Sequence, residues 1–88
     1  MNKDTRKEIA ELMDKATDLA ASLRSIQERI AEIASDEDDK FNNLPEGIQM
    51  SERGQAIEEA AGILTEQADE MDSAIDTFFT AQEALQVI

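Results

Sequence analysis

The chain has 88 residues, room for at most one domain, and its 21 acidic against 8 basic residues leave a formal charge of −13. Cysteine, histidine, tryptophan and tyrosine are all absent, which removes disulfides, thiolate metal sites, the commonest general base and the commonest metal ligand. A field of this sign repels nucleic acid and anionic lipid and attracts basic protein surfaces.

Glycine (3) and proline (1) are scarce while alanine, glutamate, leucine, isoleucine and glutamine dominate, a helical composition. No apolar run follows Met1-Asn2-Lys3-Asp4 and none approaches membrane-spanning length, so neither a signal peptide nor a membrane span is expected. The charge is uneven. Residues 1–40 hold eleven acids and seven bases, whereas residues 41–88 hold ten acids and one base, Arg53.

In chain order, Thr5 and Glu8 have the spacing of a capping box and predict a helix from residue 5. Its heptad places Ile9, Ala16, Leu23 and Ile30 in one core column and Leu12, Leu19, Ile26 and Ile33 in a second; Met13, Ala20 and Ala34 flank them. That stripe is wider than a single partner helix needs. The acidic run Asp36–Asp39 opposes the macrodipole, yet Phe41 and Leu44 prolong the apolar spacing, so the helix is predicted to end near residue 41.

Residues 42–50 read as a joint. Pro45 disfavours helix at Leu44, Gly47 offers a permissive turn, and Phe41, Leu44, Ile48 and Met50 are expected to plug the end of the core. Ser51 is the expected N-cap of a second helix over 51–87, and Gly54, so early in it, implies close packing against the joint. In this helix Ile57, Leu64, Met71, Phe78 and Leu85 form one core column. Ala60, Gln67, Ala74 and Ala81 form a small or polar second, and Ala61, Ala68 and Ile75 a third.

These patterns predict an all-α fold, an antiparallel hairpin of two long helices of roughly 45–55 Å each at 1.5 Å per residue. Two helices cannot cover two wide stripes, so a homodimeric four-helix bundle is expected, with a monomer that binds a partner's helix as the alternative. Its expected oligomer core is Ile9, Leu12, Leu19, Leu23, Ile26, Ile30, Ile33, Ile57, Leu64, Met71, Ile75, Phe78 and Leu85. Phe79, beside Phe78 but off the stripe, belongs to the dimer seam or anchors a partner, and Val87-Ile88 leaves an apolar end.

The joint also carries a resemblance. Phe41-Asn42-Asn43-Leu44-Pro45-Glu46-Gly47-Ile48-Gln49, then Ser51-Glu52-Arg53-Gly54 and Ala56-Ile57-Glu58-Glu59-Ala60, resembles a segment of small acidic helical proteins of tailed bacteriophages and prophages. The likeness spans roughly residues 36–76 and implies a hairpin and a phage setting, hence the cytoplasm of a bacterial host. It brings no activity with it.

Chemistry finds little footing. Asp36, Asp38 and Asn42 come nearest to a cation loop but lack the glycine turn and the closing glutamate. Paired carboxylates need a concave, desolvated setting for acid–base work, and no glycine-rich phosphate loop is present. No enzyme, metal or cofactor is expected. Nucleotide sequestration would need Arg6, Lys7, Lys15, Arg24 and Arg29, all on the first helix.

The second helix is the better lead. Glu58, Glu59, Glu66, Asp69, Asp72, Asp76 and Glu83 are expected on one solvent side with Glu70 at its edge, and no base but Arg53 to relieve them. Like-charge pairs at this spacing cost about 0.2–0.5 kcal/mol each in an isolated helix. Such a rod of carboxylates imitates a phosphate backbone, while a merely solvated acidic face is the plain alternative. Arg53 is expected to pair with Asp38, Asp39 or Glu46 across the joint, with a contact to the partner protein as the alternative. The functional expectation is a phage-type accessory protein that occludes a basic host protein, of the anti-CRISPR or DNA-mimic kind. The alternative is a self-assembling structural or assembly-helper protein.

Overall fold

The computed structural model describes residues 1–88 as three helices, α1 (Lys3–Asn42), α2 (Glu46–Gln49) and α3 (Glu52–Gln86). No strand is present, and α1 folds back on α3 as an antiparallel hairpin measuring 68 × 16 × 14 Å.

The start of α1 departs from the expected capping box. Asn2, extended at φ −81° and ψ 169°, accepts a hydrogen bond from the Thr5 amide at 2.8 Å and is itself the N-cap. Asparagine caps at least as well as threonine, so the helix gains two residues and puts Asp4 in its first turn. At the other end the acidic run stays helical to Asn42. Lys40 in the last turn reaches back to Glu37 at 2.9 Å, which offsets part of the unfavourable charge.

The joint is more ordered than a loop. Pro45 opens α2, and its carbonyl accepts from both Ile48 and Gln49 at 2.9 Å. No residue has a positive φ, so Gly47 contributes no special backbone conformation; it sits in the helical turn of α2. Ser51 caps α3, its hydroxyl accepting from the Gly54 amide at 3.3 Å. Gln49 donates to the Phe41 carbonyl at 3.0 Å and Gln55 to the Gln49 carbonyl at 2.9 Å, which ties α1, α2 and α3 together.

Gly54 is dictated by space. A Cβ there would lie 2.6 Å from the Gln49 carbonyl oxygen and closer still to that of Ile48. Phe41 and Leu44 are half-buried at this end, but Ile48 and Met50 are exposed and do not plug it.

The seam between α1 and α3 runs through a different column from the one expected. On α3 the five buried residues are Gly54, Ala61, Ala68, Ile75 and Gln82, each seven apart. Opposite them lie Met13, Ala20, Gln27, Ala34 and Phe41, also seven apart and all buried or half-buried. Residues expected only to flank the core therefore form its centre. The columns Leu12–Leu19–Ile26 and Ala60–Gln67–Ala74–Ala81 are exposed instead. Two helices in contact are closest along one line, and that line favours small side chains. Larger residues are displaced to its margins, where Ile9, Ile30, Ile57, Leu64, Met71, Phe78 and Leu85 are half-buried.

Candidate interaction faces

The seam divides the hairpin lengthwise into two unlike sides. On one, Leu12, Leu19, Leu23 and Ile26 of α1 are 51, 67, 49 and 51% exposed. Between Leu19 and Leu23 on one helix and Met71, Ala74 and Phe78 of α3 on the other lies an open groove of about 330 Å³ whose eight lining residues are all apolar. The columns that border it, from Ile9 to Ile33 and from Ile57 to Leu85, contain no charged residue and a single polar one, Gln67. Each residue expected to form an oligomer core lies on this side or at its edge, except Ile75, which the hairpin itself buries.

The opposite side is polar and partly self-satisfied. Arg24 of α1 donates across the seam to Asp72 and, at 3.4 Å, to Asp76; it also donates to Gln27 at 3.1 Å. The hydrogen bond to Asp72 raises the affinity of this guanidinium for its proton. Partial desolvation opposes it, and the charges of Asp72, Asp76 and Glu28 add to it. Gln27 in turn donates to the mid-helix Ala68 carbonyl at 3.4 Å. A second glutamine, Gln82, donates to the Met13 carbonyl at 3.3 Å and to the Thr17 hydroxyl at 2.5 Å. The two glutamines thus set the register of α1 on α3. Sequence reasoning passed over both, although Gln27 fills the one gap in the column of Met13, Ala20 and Ala34.

Two expectations about charge fail here. Asp72 and Asp76 are not left to repel each other, because the cation that relieves them comes from the other helix. Arg53, expected to clamp the joint, is exposed and has no acidic partner within 4.0 Å; the pairs formed belong to Arg24, Arg29 and Lys40. Seven residues before Ala60, Arg53 continues the column that borders the apolar side, whereas Asp38 lines the opposite one.

The remaining acids are spread over more than one line of α3. Glu58, Glu66 and Asp69 join Asp38 of α1 around an open depression of about 470 Å³ floored by Ala61 and Gly62. Glu59, Glu70 and Glu83 are exposed elsewhere on the helix, and none of these six α3 acids has a basic partner. No three acidic side chains converge closely enough to hold a metal ion; Asp38 instead accepts from Asn42 at 3.4 Å. Phe79, at the margin of exposure, stacks at a 60° tilt on Phe78 with ring centres 5.7 Å apart.

No helix is long and apolar enough to cross a membrane. Compared with protein-family models, with curated proteins and with solved structures, the chain matches none of them.

Proposed function

We propose that the chain is a non-enzymatic acidic binding module. Two hairpins join by their apolar sides into a four-helix bundle, and the bundle turns its carboxylates toward a basic protein partner. The observation that carries this reading is the segregation of the two sides: one free of charge for most of its length, the other rich in acids without counter-ions. A chain with no use for its apolar side would not keep Leu12, Leu19 and Ile26 half in water.

Surface area supports a second copy. A compact protein of 9.7 kDa exposes about 5,100 Å², whereas this hairpin exposes 6573 Å². The excess exceeds the roughly 800 Å² that each partner contributes to a standard interface.

The free acids Glu58, Glu59, Glu66, Asp69, Glu70 and Glu83 give the outward field, and Asp72 and Asp76 add less because Arg24 holds them. The partner best matched to that field is a protein surface built to hold nucleic acid. With the phage-type joint, this points to occlusion of a host nuclease or DNA-binding regulator in the bacterial cytoplasm. The apolar side also favours a second reading, a self-assembling structural protein whose only partner is itself.

The test is capture from bacterial lysate on the immobilised full chain, followed by elution with duplex DNA or with salt. Under the first reading a basic protein is retained, and both eluents release it. Retention that neither eluent reverses overturns nucleic-acid mimicry; recovery of the chain's own copies alone assigns the second reading.

A further inference from the structure

Resting on the dimer proposed above, we infer that its two-fold axis runs along the bundle, so that α1 of each hairpin lies on α3 of the other and both joints share one end. The argument is one of size and height. The exposed column of α1 is large, and that of α3 is small. Within a hairpin the two columns are level, because Gln82 bonds to Met13 and Gln27 to Ala68. Leu12 and Ala81 each lie one residue from the first of those pairs, within about 3 Å of the same height. Heptad steps then level Leu19 with Ala74 and Ile33 with Ala60.

A two-fold axis parallel to the helices keeps every height and exchanges the helices. Leu12, Leu19 and Ile33 therefore each meet an alanine, the partner's Ala81, the partner's Ala74 and the partner's Ala60. Large residues enter the spaces that small ones leave along both new seams. The other face-to-face arrangement, with the axis across the bundle, sets α1 on α1 and α3 on α3. One seam then holds leucine and isoleucine against their like, and the other holds alanine against alanine. That bundle is overfilled along one seam and hollow along the other, which close-packed interiors do not tolerate.

The fourth level pairs Ile26 with the partner's Gln67, the one polar side chain between Leu12 and Ile33 or between Ala60 and Ala81, and places it midway along the seam; one heptad further toward the joint the same register sets Lys40 level with the partner's Arg53. The axis also gives the dimer a pole. Residues 36–59 hold eight acids and two bases, and the parallel axis brings both copies of this region to one end. A basic partner then meets two joints side by side, a two-fold acidic tip.

Pulsed dipolar spectroscopy on the full chain with one spin label at Gly47→Cys decides the arrangement. The sequence has no cysteine, and a Cβ at Gly47 meets nothing within 4 Å, so the label is unique and harmless. Helix axes in a bundle lie roughly 10 Å apart, so labels sharing an end fall within about 30 Å of each other. Labels at opposite ends are separated by nearly the 68 Å length of the molecule, a result that overturns the parallel axis while leaving the dimer intact. Absence of any dipolar coupling at millimolar protein overturns the dimer itself. Oxidation of mixed Leu19→Cys and Ala74→Cys proteins adds the register: a disulfide-linked species found only in the mixture is expected, and its absence refutes the pairing.

Discussion

Along the side that carries Leu12, Leu19, Leu23 and Ile26 the hairpin presents large aliphatic residues to solvent. Along the other, Arg24 crosses to Asp72 and Asp76, and Gln27 reaches a backbone carbonyl. The first side has surface that only another molecule can cover. The second has already found its intramolecular partners near the seam and leaves only carboxylates over. Two helices of similar length and the same periodicity can therefore finish one side alone and leave the other incomplete. What separates the sides is whether a side chain can reach its match inside the hairpin.

The largest expected effect breaks the incomplete side. Leu19→Glu puts a charge in the middle of the apolar groove. A buried leucine is worth about 1.5–3 kcal/mol, and the change occurs twice per dimer. At 1.4 kcal/mol per tenfold, association of the proposed dimer should weaken by roughly 10²- to 10⁴-fold. Sedimentation equilibrium checks this, with Glu59→Gln on the polar side as the control that leaves the mass unchanged.

Next comes the close approach at the joint. Gly54→Ala drives a methyl group into the carbonyls of Ile48 and Gln49, backbone atoms that cannot turn aside. A loss of roughly 1–3 kcal/mol is expected, read as a lower melting temperature. Gly62→Ala is the matched contrast, since a Cβ there meets nothing within 4 Å and α3 is helical throughout. It should stabilise by up to about 1 kcal/mol through helix propensity alone. Equal losses at both sites would remove the packing explanation for Gly54.

The same joint shows what the sequence made legible. The early glycine in α3 announced a close approach, and Ser51 announced the cap, because each is a local feature whose cause lies within a few residues. The hairpin itself followed from the proline between two heptad runs. The centre of the seam was not legible. Periodicity ranks columns by hydrophobicity, so it chose the large aliphatics of Leu12, Leu19 and Ile26 over Met13, Ala20 and Ala34. Backbone proximity ranks them by size and reverses that order. Cross-helix partners were hidden for a related reason. Arg24 and Asp72 are 48 residues apart, and their meeting depends on a register that two glutamines help to fix.

Those glutamines give the third prediction. Gln82→Ala removes the bonds to Met13 and Thr17 and leaves the Thr17 hydroxyl without its partner from α3. The expected loss is about 1 kcal/mol. Gln82→Leu keeps the volume and should hold stability nearer to that of the parent while letting α1 and α3 slip. Faster amide exchange near Thr17 in the leucine variant, at equal melting temperature, would separate register from stability. Unchanged exchange would reduce Gln82 to a filler of space.

The smallest effects come from the two arginines, Arg24 on the polar side and Arg53 beside the joint. Arg24 holds Asp72 and Asp76, which are 51 and 69% exposed as side chains, so water and salt screen both pairs. Such partly exposed pairs contribute little, so Arg24→Ala should lower stability only slightly. The loss should shrink as salt is added, because the carboxylates it leaves behind repel each other less. Arg53 has no partner to lose, and Arg53→Ala should fall within about 0.5 kcal/mol of the parent at any salt concentration. Chemical denaturation at low and high salt reads both variants side by side. A salt-dependent loss at Arg53 equal to that at Arg24 would mean that the acidic side is balanced by its overall field. The specific reach of one arginine across the seam would then count for little.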